Sequence, residues 1–144
     1  MNELLSANLA FRKNIAPGLI KCGFKAGNQR VLIYIADHPG CLQKDIAENC
    51  FIETSTLSTV LSNLEKKGLL ERKRLANDNR AYAIYVTPKA QPMIDASNEL
   101  FDSMIDIALG GFTQKEADEL RAYLNRMTNN LINNLKKTGN VSDS

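Results

Sequence analysis

Apolar side chains recur along the chain at two different spacings, and the change between them divides it into elements. Near the start, Leu5, Leu9, Arg12, Ala16 and Leu19 fall near one helical face, with Leu4, Phe11, Ile15 and Ile20 widening the stripe. The pattern predicts a helix that ends or kinks at Pro17-Gly18, because proline lacks a backbone donor and its ring strikes the preceding turn. Gly27-Asn28 opens a second helix with Val31, Leu32, Ile35 and Ala36 on one side, and His38-Pro39-Gly40 stops it. Leu42 to Glu48 predicts a short helix with Ile46 and Ala47 inward, followed by a tight turn over Asn49 to Ile52. A longer helix follows from Thr54 to Lys67, with Leu57, Val60, Leu61 and Leu64 at helical spacing and Gly68 as its stop.

From Leu69 the period shortens to two. Leu70 to Leu75 and Tyr82 to Val86 predict strands flanking the turn residues Asn77-Asp78-Asn79, which makes a hairpin with a basic arm. Pro88 then opens a helix from its first turn, where a missing donor is harmless. Met93, Ser97, Leu100, Met104 and Ile107 recur every three or four residues, and Gly110-Gly111 ends that helix. Thr113-Gln114-Lys115-Glu116 matches a capping box. In the last helix Ala117, Leu120, Leu124, Met127, Leu131 and Leu135 form a seam of the kind along which two helices pack. The expected fold is therefore mainly α with a small β-hairpin wing: a winged helix-turn-helix core flanked by N- and C-terminal helices.

At 144 residues, 44% apolar and 24% charged, the chain has the composition of a folded domain. No apolar run reaches the length of a membrane span, and MNELLSANLAFRKN lacks the order of a secretory signal, so the cytoplasm is the expected compartment and no membrane is an expected partner. Cys22, Cys41 and Cys50 form no C-x-x-C pair, so neither a disulfide framework nor a metal site is written here, and no cofactor is expected. The net charge of +2 is uninformative, but its distribution is not. Between Lys66 and Arg80 six basic residues face two acidic ones, whereas between Gln91 and Leu120 seven acids face Lys115 alone. A basic patch on a nearly neutral chain is the footprint expected where phosphate is the partner.

The longer motif helix carries Thr54, Ser55, Thr56, Ser58, Thr59, Ser62 and Asn63 away from its apolar face. Short hydroxyl side chains are poor helix formers, and a solvent face shaped by stability alone would favour Glu, Lys or Ala. A DNA major groove gives them a use, because hydroxyls and amides meet base edges and phosphates while small side chains let the backbone come close. On the hairpin, Arg72, Lys73, Arg74 and Arg80 suit either of two roles. They are charges guarding an edge strand, or they belong to a wing whose tip enters a minor groove while its strand cations hold phosphates. Asp78 stands two residues before Arg80, where a carboxylate can orient the guanidinium fork.

The segment Leu42 to Glu48, the run Thr54-Ser55-Thr56-Leu57-Ser58 followed by Leu64 to Arg72, and Asp78-Asn79-Arg80 leading to Val86-Thr87 resemble the helix-turn-helix, recognition helix and wing of the MarR family. The resemblance implies a homodimer built from the N- and C-terminal helices. It also implies a palindromic operator in double-stranded DNA, repression, and release by a small aromatic or phenolic ligand. The expected division is 1–25 as an N-terminal dimerisation helix, 26–87 as the DNA-binding lobe, 88–138 as C-terminal dimerisation helices and 139–144 as a tail. Lys44, Thr54, Ser55, Thr56, Ser58, Thr59, Asn63, Arg72, Lys73, Arg74, Asn79 and Arg80 are the expected DNA contacts, Asp78 the residue expected to orient the wing, and Phe11, Ile15 and Tyr34 the expected ligand lining. Thr59 and Asn63 stand where the family frequently has arginine, which shifts expected weight to Lys44 and the wing cations. Phe51 stands where a small or polar residue is usual, so it either packs on the first motif helix or marks an altered turn.

Three rival functions remain to be weighed. An enzyme lacks a site, since His38 is the sole histidine and no nucleophile motif or phosphate loop accompanies it. A thiol-based redox sensor would use Cys22, between Lys21 and Lys25, because a positive surrounding lowers a thiol's pKa. A winged helix can also serve as a protein-interaction module without DNA, although the basic wing argues against that.

Overall fold

The computed structural model of the chain describes residues 2–25, 27–76 and 78–139, and of residues 78–80 the backbone alone. Helix α1 (Glu3–Lys21) starts at Asn2, whose side-chain oxygen accepts from the Leu5 amide at 2.9 Å and satisfies an orphan donor of the first turn. Of the end or kink expected at Pro17-Gly18, the end is not found, and the helix continues to Lys21. Packing on both sides of the proline accounts for this. Ile15 and Leu19 are buried, and Gly18 lies so close to Leu100 that an added Cβ would stand 2.6 Å from its Cδ2. Tertiary contacts of this kind supply most of a helix's stability and outweigh one missing hydrogen bond.

Helix α2 (Asn28–Asp37) buries Val31, Leu32 and Ile35 completely. Helices α3 (Gln43–Cys50) and α4 (Thr54–Lys66) form the helix-turn-helix. Helix α3 runs two residues beyond the predicted Glu48, because Cys50 is itself a core residue. The turn then falls on Phe51, the sole non-glycine residue with positive φ among those described (φ 54°, ψ 48°). The Ile52 amide reaches back to the Ala47 carbonyl at 3.1 Å, a closure made through a left-handed residue. Phe51 does not pack inward; it is 58% exposed and holds the left-handed position of the turn.

Strands β1 (Leu70–Leu75) and β2 (Asp78–Val86) pair antiparallel, with Leu70 opposite Val86, Arg72 opposite Ile84 and Arg74 opposite Tyr82. The second strand begins four residues earlier than its apolar alternation predicts. Its other edge is held by Cys41, whose carbonyl accepts from the Ile84 amide at 3.0 Å while the Gly40 amide donates to the Ile84 carbonyl at 2.9 Å. Pro88 opens a 3-10 turn (Pro88–Ala90) that leads into α5 (Gln91–Ala108). Helix α6 (Gln114–Lys137) begins with the predicted capping box: Thr113 Oγ1 accepts from the Glu116 amide, and Glu116 Oε2 accepts from the Thr113 amide.

Residues up to Met104 form one compact unit and residues from Ile105 onward a second. In the first, Leu32, Ile35, Ile46, Leu57, Leu61 and Ile84 are essentially inaccessible, and Ile15, Leu19 and Ile94 close the core from α1 and α5. In the second, no residue of α6 is buried, although the helix is amphipathic. The architecture is that of a winged helix-turn-helix. Among the described residues no helix is long and apolar enough to cross a membrane, and no group of His, Cys, Asp and Glu side chains is arranged to hold a metal ion.

Candidate nucleic-acid interface

Helix α4 buries Leu57, Leu61 and Leu64 on one side and leaves Thr54, Ser55, Thr56, Ser58, Thr59 and Asn63 exposed. All six recognition-helix residues expected from the sequence are thus accessible, but their hydroxyls differ. Ser58 Oγ donates to the Thr54 carbonyl at 3.0 Å and accepts from Gln43 Nε2 at 2.7 Å, and Thr59 Oγ1 makes a long bond of 3.4 Å to the Ser55 carbonyl. Thr54, Ser55 and Thr56 make no side-chain hydrogen bond among the described residues, and Glu53 provides no side-chain cap. The first turn of α4 therefore presents free hydroxyls beside unsatisfied backbone N–H groups, an arrangement suited to phosphate and base edges. Lys44 is exposed in the first turn of α3.

The wing cations divide between two roles. Side chains alternate along β1, so Arg72 and Arg74 share one face and Lys73 takes the other. Arg72 is half-buried, with Nε 3.3 Å from Glu65 Oε2, and braces the strand against the end of α4. Lys73 lies 4.8 Å above the Tyr85 ring and 3.8 Å from Glu71 Oε1, and Arg74 donates to the Tyr82 hydroxyl at 3.1 Å. Exposed pairs of this kind contribute little and leave the cations available. The side chains of Asp78, Asn79 and Arg80, and with them the expected carboxylate–guanidinium pair, lie outside the described residues.

Three contacts were not legible from the pattern. Gln43, at the start of α3, ties that helix to α4 through Ser58; a polar residue beside Lys44 was its one sequence signal. Lys89 Nζ donates to the Lys67 carbonyl at 2.7 Å, and Thr87 Oγ1 to the Gly68 carbonyl at 2.6 Å. Together they occupy carbonyls left open past the end of α4, where a cation also suits the helix dipole.

A family model described as MarR family matches residues 29–81, which span α2, the motif and most of the wing. A transcriptional regulator designated PA3341 is 30% identical, with a TM-score of 0.79 over 90% of this chain and 96% of its own. The chain belongs to the MarR family. The MarR-family fold recurs in the transcriptional regulator SlyA, at 22% identity and a TM-score of 0.85 over 95% of this chain and 99% of that one. It recurs again in a putative MarR family regulator from Listeria monocytogenes, crystallised with a 26mer DNA, at 23% identity and a TM-score of 0.85 over 96% of both chains.

In this MarR-family chain a cleft of about 490 Å³ opens between α1 and the start of α2, lined among others by Arg12, Ile15, Leu19, Phe24, Gln29 and Arg30. Its floor is apolar. Arg12 and Arg30 have no ion-pair partner among the described residues, and Gln29 Oε1 is buried without a hydrogen-bond partner. The three residues expected to line a ligand site are not brought together. Ile15 lines the cleft, Phe11 stacks on Phe101 at 6.3 Å, and Tyr34 stacks on His38 at 4.2 Å while its hydroxyl accepts from Asn49. Of the cysteines, Cys41 and Cys50 are buried and Cys22 is half-buried. Burial, reinforced by Asp45, pushes the Cys41 thiol up to about 11, and burial also raises Cys50, so both are held as thiols.

Proposed function

We propose that this chain is a sequence-specific DNA-binding transcription regulator without catalytic activity, a cytoplasmic repressor acting as a homodimer on a palindromic operator. The observation that carries the reading is the exposed, hydroxyl-lined first turn of α4, with Leu57, Leu61 and Leu64 buried on its other side and Lys44 exposed on the neighbouring helix. Residues 26–87 serve as the DNA-binding lobe. Thr54, Ser55 and Thr56 meet base edges, while Lys44, Lys73, Arg74 and the tip residues Asn79 and Arg80 engage the backbone and the adjacent minor groove. The flanking segments 1–25 and 88–138 dimerise. Leu4, Leu5 and Leu9 on α1, and Leu124, Met127 and Leu131 on α6, are exposed apolar residues at helical spacing that support such a role. In the dimer two recognition helices enter successive major grooves roughly 34 to 36 Å apart.

Release falls to a small aromatic or phenolic anion in the cleft beside Arg12, Gln29 and Arg30, which would favour one arrangement of the lobes over another. Regulation through Cys41 or Cys50 is disfavoured, because burial holds both in their unreactive form, and Cys22, the thiol a redox sensor would use, is half-buried. Selection from random duplexes, followed by titration at several salt concentrations, tests the reading. A recovered palindrome bound with steep salt dependence and selectivity over random DNA is expected. Binding that shows neither property would identify a protein-interaction module instead.

A further inference from the structure

Gln43 is the first residue of α3, half-buried and absent from the expected DNA contacts. Its Nε2 donates to Ser58 Oγ, one turn into α4. The Ser58 hydroxyl has one proton, and it goes to the Thr54 carbonyl. Toward Gln43 the hydroxyl is therefore an acceptor alone, which fixes the amide with its NH₂ end against Ser58. Among the described residues two groups of Gln43 have no partner, the second N–H and Oε1, so its free edge offers one donor beside one acceptor.

That pair selects its complement. An adenine presents an N7 acceptor beside an N6 donor in the major groove, and a glutamine amide meets both. A phosphate would use the N–H only and set Oε1 against negative oxygens. We propose that Gln43 is a specificity-determining residue that reads an adenine of the operator in the major groove, held in place by Ser58. The inference rests on the reading that α4 enters that groove. It reassigns Ser58, whose only proton is engaged, from a direct contact to a positioning residue. The amide is also immobilised before DNA arrives, which lowers the ordering cost on binding.

The test uses the full chain and the operator selected by the wild type, measured against every single base-pair variant. Wild type should prefer A·T at one position. Gln43→Ala should lose that preference by about 5- to 140-fold and keep the others. Ser58→Ala should relax the same position and add nothing in the Gln43→Ala background, an outcome that a general loss of stability would not produce. An adenine analogue lacking N7 at that position should weaken wild type but not Gln43→Ala. An even loss across all sequences, additive effects of the two substitutions, or unchanged preferences would each overturn the assignment while DNA binding stood. If wild type selects no duplex at all, the DNA reading itself falls, and this inference with it.

Discussion

Replacing Leu131 with asparagine should separate the subunits of the proposed dimer. Helix α6 spans 24 residues without burying one of them, and Leu131 is its most exposed seam residue at 59%, against 42% for Leu124 and 40% for Met127. Full burial of a leucine contributes about 1.5–3 kcal/mol, so covering the exposed share contributes about 0.9–1.8 kcal/mol per subunit. A twofold interface counts the residue twice, and the loss becomes about 1.8–3.5 kcal/mol, or a rise of about 20- to 350-fold in the dimer dissociation constant. Asparagine has nearly the size of leucine. Its lower helix propensity weakens α6 in monomer and dimer alike, and that effect largely cancels from the association equilibrium.

Sedimentation equilibrium across a dilution series measures the constant directly. Operator binding should become second order in protein over the range where Leu131→Asn is monomeric. Asn129→Ala supplies a control off the apolar seam. A Leu131→Asn protein with the wild-type association constant would refute the role of this face, and a wild type that stays monomeric at every concentration would refute the dimer.

Leu61 is fully inaccessible, so Leu61→Ala should cost about 2–5 kcal/mol, read as a lower urea midpoint at unchanged slope. Lys44→Met should weaken binding evenly across DNA sequences and reduce the slope of log affinity against log salt by about 0.9, measured by titration at several ionic strengths. Burial raises the Cys41 thiol from 9.0 to about 11, and the unfolded chain loses that proton first. Its contribution to stability is therefore whole below about pH 9, declines as pH approaches 11 and is lost above it; Cys41→Ala should flatten that decline in denaturant melts, and an equally steep decline would exclude the thiol as its source.

Local signals carried much of the fold. The bounds of β1, the start of α4, the stop of α2 and the Thr113–Glu116 box all follow from period, turn residues and capping, which a short window contains. The misjudged features depend on contacts between residues remote in the chain. Helix α1 survives Pro17 because Gly18 meets Leu100. Cys50 extends α3 because the core receives it. At the site, sequence placed the hydroxyl face on α4, but not the division of labour among its hydroxyls. The Gln43–Ser58 bond joins residues 15 positions apart and the Lys89–Lys67 bond residues 22 apart, and no periodicity encodes either. The same holds for Arg72, whose charge was legible and whose pairing with Glu65 was not.

The composition of α4 ties specificity to the core beneath it. Six of its 13 residues are Ser or Thr, each less favourable in a helix than alanine by up to about 0.7 kcal/mol, a total of about 4 kcal/mol at most. Leu57, Leu61 and Leu64 are buried, at about 1.5–3 kcal/mol each, so about 4.5–9 kcal/mol opposes that deficit. Packing wins, with additional support from Lys89 and Thr87 at the helix end. An isolated peptide of this segment has the deficit without the packing and should not be helical. The polar surface of α4 therefore exists only on a formed core, which lets its exposed hydroxyls vary at small cost in stability while any loss at Leu61 is felt in DNA binding through the folded fraction.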